Sequence, residues 1–299
     1  MNRNWNIIGH TRTLLAISSV AVGLAILVML VWGFRQGIDF TGGTLWQFRI
    51  PDASVREIEE TFASKLNVED ALVTISSRDG SFLVRVGDLS EAEHQAHLGI
   101  LTGLFPAFQE LGFQSIGPSI GKELRDRAIV GIILVLIGIS LYIAFAFRKV
   151  SRPVSSWKYG LITLLTLFHD VLIPAGFLSV MGRYYGVEID SNFVVALLVV
   201  MGFSVHDTIV VFDRIRENLS LDRGKTAFRT VVNLSVNQTI GRSVNTSFTL
   251  ILVLIALIVA GPHNLYYFIL TLLIGVTTGI YSSIFVASPL LVLWERARK

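Results

Sequence analysis

The chain has 299 residues, 52% of them hydrophobic and only 16% charged, with a mean hydropathy of +0.63. Soluble proteins carry about 25% charged residues, and here the apolar residues gather in runs of about 20, the length that crosses a bilayer. A soluble enzyme and a nucleic-acid-binding module are thereby excluded; the net charge of +3 comes from basic residues beside apolar runs, and the absence of cysteine removes disulfides, thiolate catalysis and cysteine metal sites.

The first candidate span is Leu14–Phe34. It is too long for the apolar region of a cleaved signal peptide, and no small-residue cleavage pattern follows it. Gly37-Ile38-Asp39-Phe40-Thr41-Gly42-Gly43-Thr44 then leads into about 90 residues of mixed character. The paired Gly42 and Gly43 suit a tight turn with positive φ.

Within that stretch Thr44–Ile50 alternates as a strand, with Trp46, Phe48 and Ile50 on one face. Ser54-Val55-Arg56-Glu57 reads as a capping box opening a helix to about Leu66, and Ser90-Glu91-Ala92-Glu93 reads as a second one. The second helix meets Pro106, which either ends or kinks it. Ala71–Ser76 and Ser81–Val86 are strand-like runs flanking a hairpin at Ser77-Arg78-Asp79-Gly80, and Phe113–Ile116 is a last, weaker strand. The order βαββαβ predicts a ferredoxin-like α+β domain at residues 37–127, between residues 1–36 with the first span and residues 128–299 with the other five.

Those five spans are Ala128–Phe147, Tyr159–Val180, Ser191–Phe212, Ser243–Gly261 and Leu265–Ala287. The fifth has a clean apolar run only from Phe248 to Ala260 and reaches full length by taking in the polar stretch after Arg242. With a cytoplasmic N-terminus, the inner segments hold fifteen of the 25 lysines and arginines, and the two short outer loops hold only Arg183. The positive-inside rule therefore predicts both termini in the cytoplasm and the large loop outside.

Ionisable residues inside spans are costly and mark functional sites. Asp207 in span four lies five residues from its cytoplasmic end, roughly 7–8 Å deep at 1.5 Å per residue. Burial disfavours the charged form of a carboxyl, so a group that gains and loses a proton there suits a proton relay. The structural alternative is a carboxylate satisfied by neighbouring helices. In span five Arg242, Asn245, Thr246 and Thr249 share one helical face. Pointed into the bundle, that stripe would meet Asp207; the alternative for Arg242 is a snorkelling, positive-inside arginine.

Span six offers Gly275 and Gly279 for close helix approach, with Thr278 and Ser282 as possible support for a proton path. His169-Asp170 in span three is a second buried candidate. Asp213, Arg214, Arg216 and Glu217 suit a solvated helix end, and His206 points about 100° away from Asp207. No HExxH, GxSxG or Walker A sequence occurs, so no nucleotide hydrolysis of its own is expected, nor any metal or cofactor.

The Gly37–Thr44 segment, and Gly202-Phe203-Ser204-Val205-His206-Asp207-Thr208 running on to Phe212-Asp213-Arg214-Ile215-Arg216-Glu217-Asn218, closely resemble the SecF branch of the SecD/SecF family of bacterial protein-export membrane subunits. The likeness covers nearly the whole chain, and the family is grouped with the resistance–nodulation–division transporters. The resemblance implies an inner-membrane protein that pairs with SecD and associates with the SecYEG channel, with SecA acting in the same pathway. It implies use of the proton gradient to promote late steps of polypeptide export, with Asp207 and Arg242 in proton conduction and a further intramembrane aspartate from SecD. Two rivals stand beside it: a proton-coupled exporter of small molecules with the same layout, and a purely structural subunit of the export complex.

Overall fold

The computed structural model describes residues 5–76, 80–147 and 155–296. It divides into a helical unit, made of the chain up to Arg35 and from Val130 onward, and a sheet unit, Gln36–Ile129. The helical unit opens with α1 (Thr11–Trp32).

In the sheet unit the glycine-rich segment is more than a turn. Ile38–Thr41 forms one helical turn, α2, and β1 (Gly43–Arg49) starts directly after it. Gly42 and Gly43 both have positive φ, 74° and 111°. A Cβ at Gly42 would stand 2.7 Å from Pro118 Cα, and one at Gly43 2.9 Å from the Val86 carbonyl oxygen, so both glycines are sterically required. Gly37 precedes the turn in an extended conformation. Asp39 accepts a bond from Gln114 Nε2 at 3.3 Å, and Arg85 donates to Thr41 Oγ1 at 2.6 Å, which ties the segment to the sheet.

After β1 come α3 (Val55–Lys65), β2 (Leu72–Ile75), β3 (Phe82–Val86), α4 (Glu91–Leu104) and β4 (Gln109–Ile116). The sheet is antiparallel throughout, in the order β2-β3-β1-β4. The turn at Ser77-Arg78-Asp79 lies outside the described residues. α4 ends at Leu104, before Pro106, and β4 begins four residues earlier than its apolar run suggests. Its pairing with β1 shifts register between Gln47 and Phe48, which is how a strand of weak alternation still completes the ladder. Only Ser90 closes a full capping box; Ser54 caps through its hydroxyl, which accepts from the Glu57 N–H at 3.2 Å.

The inward face of β1 carries the core. Trp46 and Phe48 are fully buried against Ile58, Phe62, Phe82, Val84 and Leu101, each large side chain contributing about 1.5–3 kcal/mol. Trp46 Nε1 keeps its polar atom satisfied by donating to Glu110 Oε1 at 2.9 Å, and His94 Nε2 bonds the same oxygen at 2.8 Å.

α5 (Pro118–Ala146) leads into α6 (Ser156–Tyr185), α7 (Ser191–Asp222), α8 (Phe228–Ala260) and α9 (Tyr266–Ser282). One π-helical turn over Ser283–Ala287 then joins α9 to α10 (Ser288–Arg296). Among the described residues, six helices are long and apolar enough to cross a membrane: Ile8–Trp32, Pro118–Ala146, Ser156–Tyr185, Ser191–Asp222, Phe228–Ala260 and Tyr266–Glu295. All six run several residues past the apolar stretches, because a helix needs apolar residues only across the hydrocarbon. The difference is largest at α8, which begins 15 residues before Ser243. That polar extension holds the N-terminal segment: Asn237 pairs with both the N–H and the carbonyl of Trp5, at 2.8 and 2.9 Å, and Arg229 donates to the Ile8 carbonyl at 2.9 Å.

Small residues let the central helices approach. A Cβ at Gly275 of α9 would fall 2.3 Å from Val200 Cγ2 of α7, and one at Gly279 would lie 3.2 Å from Ser204 Cβ. Gly176 of α6 meets Ala25 of α1 at 2.7 Å on the same measure. These contacts are the small-residue packing that substitutes for a hydrophobic driving force within lipid. α6, α7 and the α9–α10 helix thus form the enclosed centre, with α1, α5 and α8 mostly exposed.

Candidate functional site

α7 carries buried polar groups on two faces. Its core side, Ala196 and Val200, packs with Leu254 of α8 and with Ile269, Leu272 and Val276 of α9. Two turns further along, Asp207 is only 2% exposed although it lies inside a membrane-spanning helix. Ser243 and Ser247 of α8 present their hydroxyls to it. Asp207 Oδ2, Ser243 Oγ and Ser247 Oγ are all enclosed, and none makes a hydrogen bond of ordinary geometry among the described residues. Each such orphan costs about 1–3 kcal/mol. A hydroxyl both donates and accepts, so this pair can serve a charged carboxylate and a neutral acid alike.

The inward residues of α8 follow a four-residue interval: Ser235, Thr239, Ser243 and Ser247 are all buried. Ser235 and Thr239 return their hydroxyls to the helix backbone, at Val231 and Ser235; the two serines opposite Asp207 do not. The four-residue interval is visible in the sequence, on the face next to the one that carries Arg242. Arg242, Asn245, Thr246 and Thr249 are exposed in this chain, so the expectation that they point inward to Asp207 does not hold. The reason is rotational: positions 242 and 243 are 100° apart, and apolar packing at Leu254 together with the small hydroxyls turns the second of them inward. Thr249 spends its hydroxyl on the Thr246 carbonyl at 2.7 Å, and Arg242 makes no ion pair among the described residues.

His206 is exposed, on the same side of α7 as Gly202. Thr278 is half-buried and donates to the Gly275 carbonyl at 2.9 Å. Beyond Asp207, Asp213 pairs with Arg216 at 2.8 Å and Arg214 with Glu217 at 2.7 Å, as expected of a solvated helix end. Arg214 and Asn218 also both reach Gln238 Oε1 on α8, at 2.6 and 2.8 Å, and so join the two helices there.

Ser282 lies elsewhere, with the second carboxyl. Asp170 of α6 is fully buried and accepts from Ser204 of α7 at 2.5 Å and from Ser282 of α9 at 2.6 Å, both on Oδ2. His169 Nδ1 bonds the other oxygen at 2.8 Å. Asp170 therefore stands where three helices meet, with bonds on both of its oxygens.

Known proteins share this arrangement of six membrane helices and a four-stranded sheet. Residues 98–297 match the family described as "Protein export membrane protein SecD/SecF, C-terminal". The protein translocase subunit SecF of Thermobaculum terrenum is 46% identical over 283 residues, covering 89% of this chain and 86% of that one. The subunit SecF of Anaerolinea thermophila is 35% identical over 294 residues, 97% of this chain and 94% of the relative. Among solved structures, SecDF of Thermus thermophilus, titled a translocon-associated membrane protein, superposes with a TM-score of 0.82 at 35% identity. That match covers 98% of this chain but only 39% of the longer SecDF chain. A four-stranded sheet unit, six spanning helices and these likenesses over almost the full length lead to one assignment: the chain is a multi-pass membrane protein belonging to the SecD/SecF family.

Proposed function

We propose that this chain is the SecF-type subunit of the accessory complex of the Sec protein translocase, and that with SecD it uses the proton gradient to promote late steps of polypeptide export. It sits in the bacterial inner membrane with both termini in the cytoplasm. Residues 37–127 form a ferredoxin-like domain on the periplasmic side, flanked by the first span at 1–36 and the remaining five at 128–299. SecYEG, SecA and the exported polypeptide are its partners in the pathway.

The observation that carries this reading is the enclosed carboxyl of Asp207, facing two hydroxyls that suit either of its protonation states. An ionisable residue within a span, with one carboxyl oxygen unsatisfied among the described residues, belongs to an ion pathway or a partner surface rather than to lipid. The exposed stripe of Arg242, Asn245, Thr246 and Thr249 supports the second half of the reading. Such a face is unfavourable against acyl chains and suits a second membrane subunit that brings an acidic group. The relatives named SecDF, of which this chain spans 39%, support SecD as that subunit. Proton entry at Asp207 then alters the α7–α8 contact, and the α5 connection passes the change to the sheet domain.

The test is export into inverted vesicles containing the SecD partner, comparing Asp207 with Asp207→Asn while proton and sodium gradients are varied separately. Stimulation by the proton gradient is expected with Asp207 and absent with Asn, while steps driven by SecA and ATP continue. Stimulation that follows sodium alone, or an Asn variant that exports normally, contradicts the reading. Recovery of the intact complex is measured alongside, because a purely structural subunit would lose assembly and export together.

A further inference from the structure

The junction at Asp170 is left unused by a mechanism built on Asp207. In its charged form Asp170 is surrounded by donors: Ser204 and Ser282 on Oδ2, and the Nδ1–H of His169 on Oδ1. A carboxylate only accepts, so this network fits the charged state. The neutral state is also provided for. Ser282 Oγ has a second acceptor, the Gly279 carbonyl, at 3.2 Å. With its hydrogen turned there, Ser282 Oγ is free to accept from a protonated Oδ2. Ser204 has no such exchange with Asp170: once Oδ2 bears a hydrogen, its bond goes to a neutral oxygen instead of a charged one and weakens. The link from α6 to α9 thus survives with reversed polarity, while the link from α6 to α7 is strong only when Asp170 is charged. Asp207 lies three residues beyond Ser204 on that same helix.

From this cluster we infer that Asp170 is a second proton-binding carboxyl of the bundle, whose loading loosens α7, the helix that carries Asp207, from α6. The inference rests on the proton-coupled reading of Asp207 and adds a site to it. In the loading step one O–H bond of a hydronium ion breaks, leaving water, and one O–H bond forms on Oδ2. The Ser282 hydroxyl turns to the Gly279 carbonyl, and no other covalent bond changes; unloading returns the proton to water. The titratable groups around Asp170 are few. α6 supplies His169, α9 supplies Tyr281 with its ring 6.1 Å from that of His169, and α7 presents only Ser204. α1 reaches the cluster through Tyr281, whose hydroxyl takes a bond from Ser18 at 3.3 Å. No lysine or arginine pairs with Asp170 among the described residues.

The experiment is pH-difference infrared spectroscopy on the full chain, isotope-labelled at aspartate and reconstituted in vesicles with its unlabelled SecD partner. Two labelled carboxylic-acid bands are expected from the bundle: one is lost in Asp170→Asn and kept in Asp207→Asn, and the other behaves in reverse. Ser204→Ala leaves the carboxyl in place and removes one donor, and it is expected to move the pH midpoint of the Asp170 band alone. If Asp170→Asn fails to insert, that serine variant still decides the matter. A band set unchanged by Asp170→Asn, or one untouched by Ser204→Ala when Asp170→Asn cannot be made, overturns the inference. The spectra read proton binding without any export, so this result and that of the vesicle assay on Asp207→Asn fail independently.

Discussion

The two buried carboxyls of the bundle differ in how fully they are satisfied. Asp170 has three donors from three helices at 2.5–2.8 Å. Asp207 has an orphan oxygen facing two serines whose hydroxyls make no ordinary hydrogen bond among the described residues. While it is charged, Asp170 holds three helices together through its donors, and a proton on Oδ2 weakens its link to α7. Asp207 faces hydroxyls that can donate or accept, so its change of charge need not break a bond between helices.

The comparison breaks most visibly if its members are truncated. Asp170→Ala strips the acceptor from three buried donors at about 1–3 kcal/mol each, so a large drop in thermal stability and complex recovery is expected. Asp207→Ala removes a group already short of partners, and its thermal transition is expected to move far less. Equal losses in the two variants would erase the distinction drawn here.

Next in size is the packing of α9 against α7, the helix that carries Asp207 and bonds Asp170 through Ser204. Gly275→Ala places a methyl group 2.3 Å from Val200 Cγ2. Overpacking of this kind costs about 1–3 kcal/mol. Val200→Ala in the same chain is expected to recover most of that loss; a double variant no better than the sum of its singles would place the strain elsewhere. A smaller stability effect, within about 1 kcal/mol, is expected when Ser243 and Ser247 are both changed to alanine, since neither hydroxyl makes a bond in ordinary geometry. Export driven by the gradient should nevertheless fall, which separates stability from function at the Asp207 contact.

The smallest effect lies away from both carboxyls. Ser90 and Glu93 form a reciprocal cap on α4, with Ser90 Oγ and N–H donating to Glu93 Oε2 at 2.7 and 2.8 Å. The Ser90 hydroxyl, then its backbone N–H, holds the Glu93 carboxyl below the usual carboxylate range. A lowered folded value means that the cap contributes fully above the ordinary carboxylate range. The contribution is lost as pH falls through the lowered value. Ser90→Ala should cost about 1 kcal/mol and flatten that acid dependence in the unfolding of the sheet unit, measured by circular dichroism.

The sheet unit was legible because its signals are local. Alternation put Trp46, Phe48 and Ile50 on one face, Ser54 and Ser90 marked two helix starts, and paired glycines marked the approach to β1. The extent of β4 was not, since its pairing runs through a register shift that no periodicity records. In the bundle, composition gave the six spans. It did not give the rotation of α8, because a helix with apolar residues on all sides has no strong preferred face. Small hydroxyls at 243 and 247 decided the rotation over a larger charged residue at 242. The Asp170 junction required tertiary contacts 34 and 112 residues away in sequence.

The most direct measurement of the central claim is proton flow itself. Vesicles holding the chain with SecD, an internal pH dye and a polypeptide in transit are given a pH difference across the membrane. Dissipation of that difference coupled to polypeptide movement is predicted for the chain as it stands, and its loss in Asp207→Asn with the complex intact. Proton flow of equal size in the Asn variant would contradict the account.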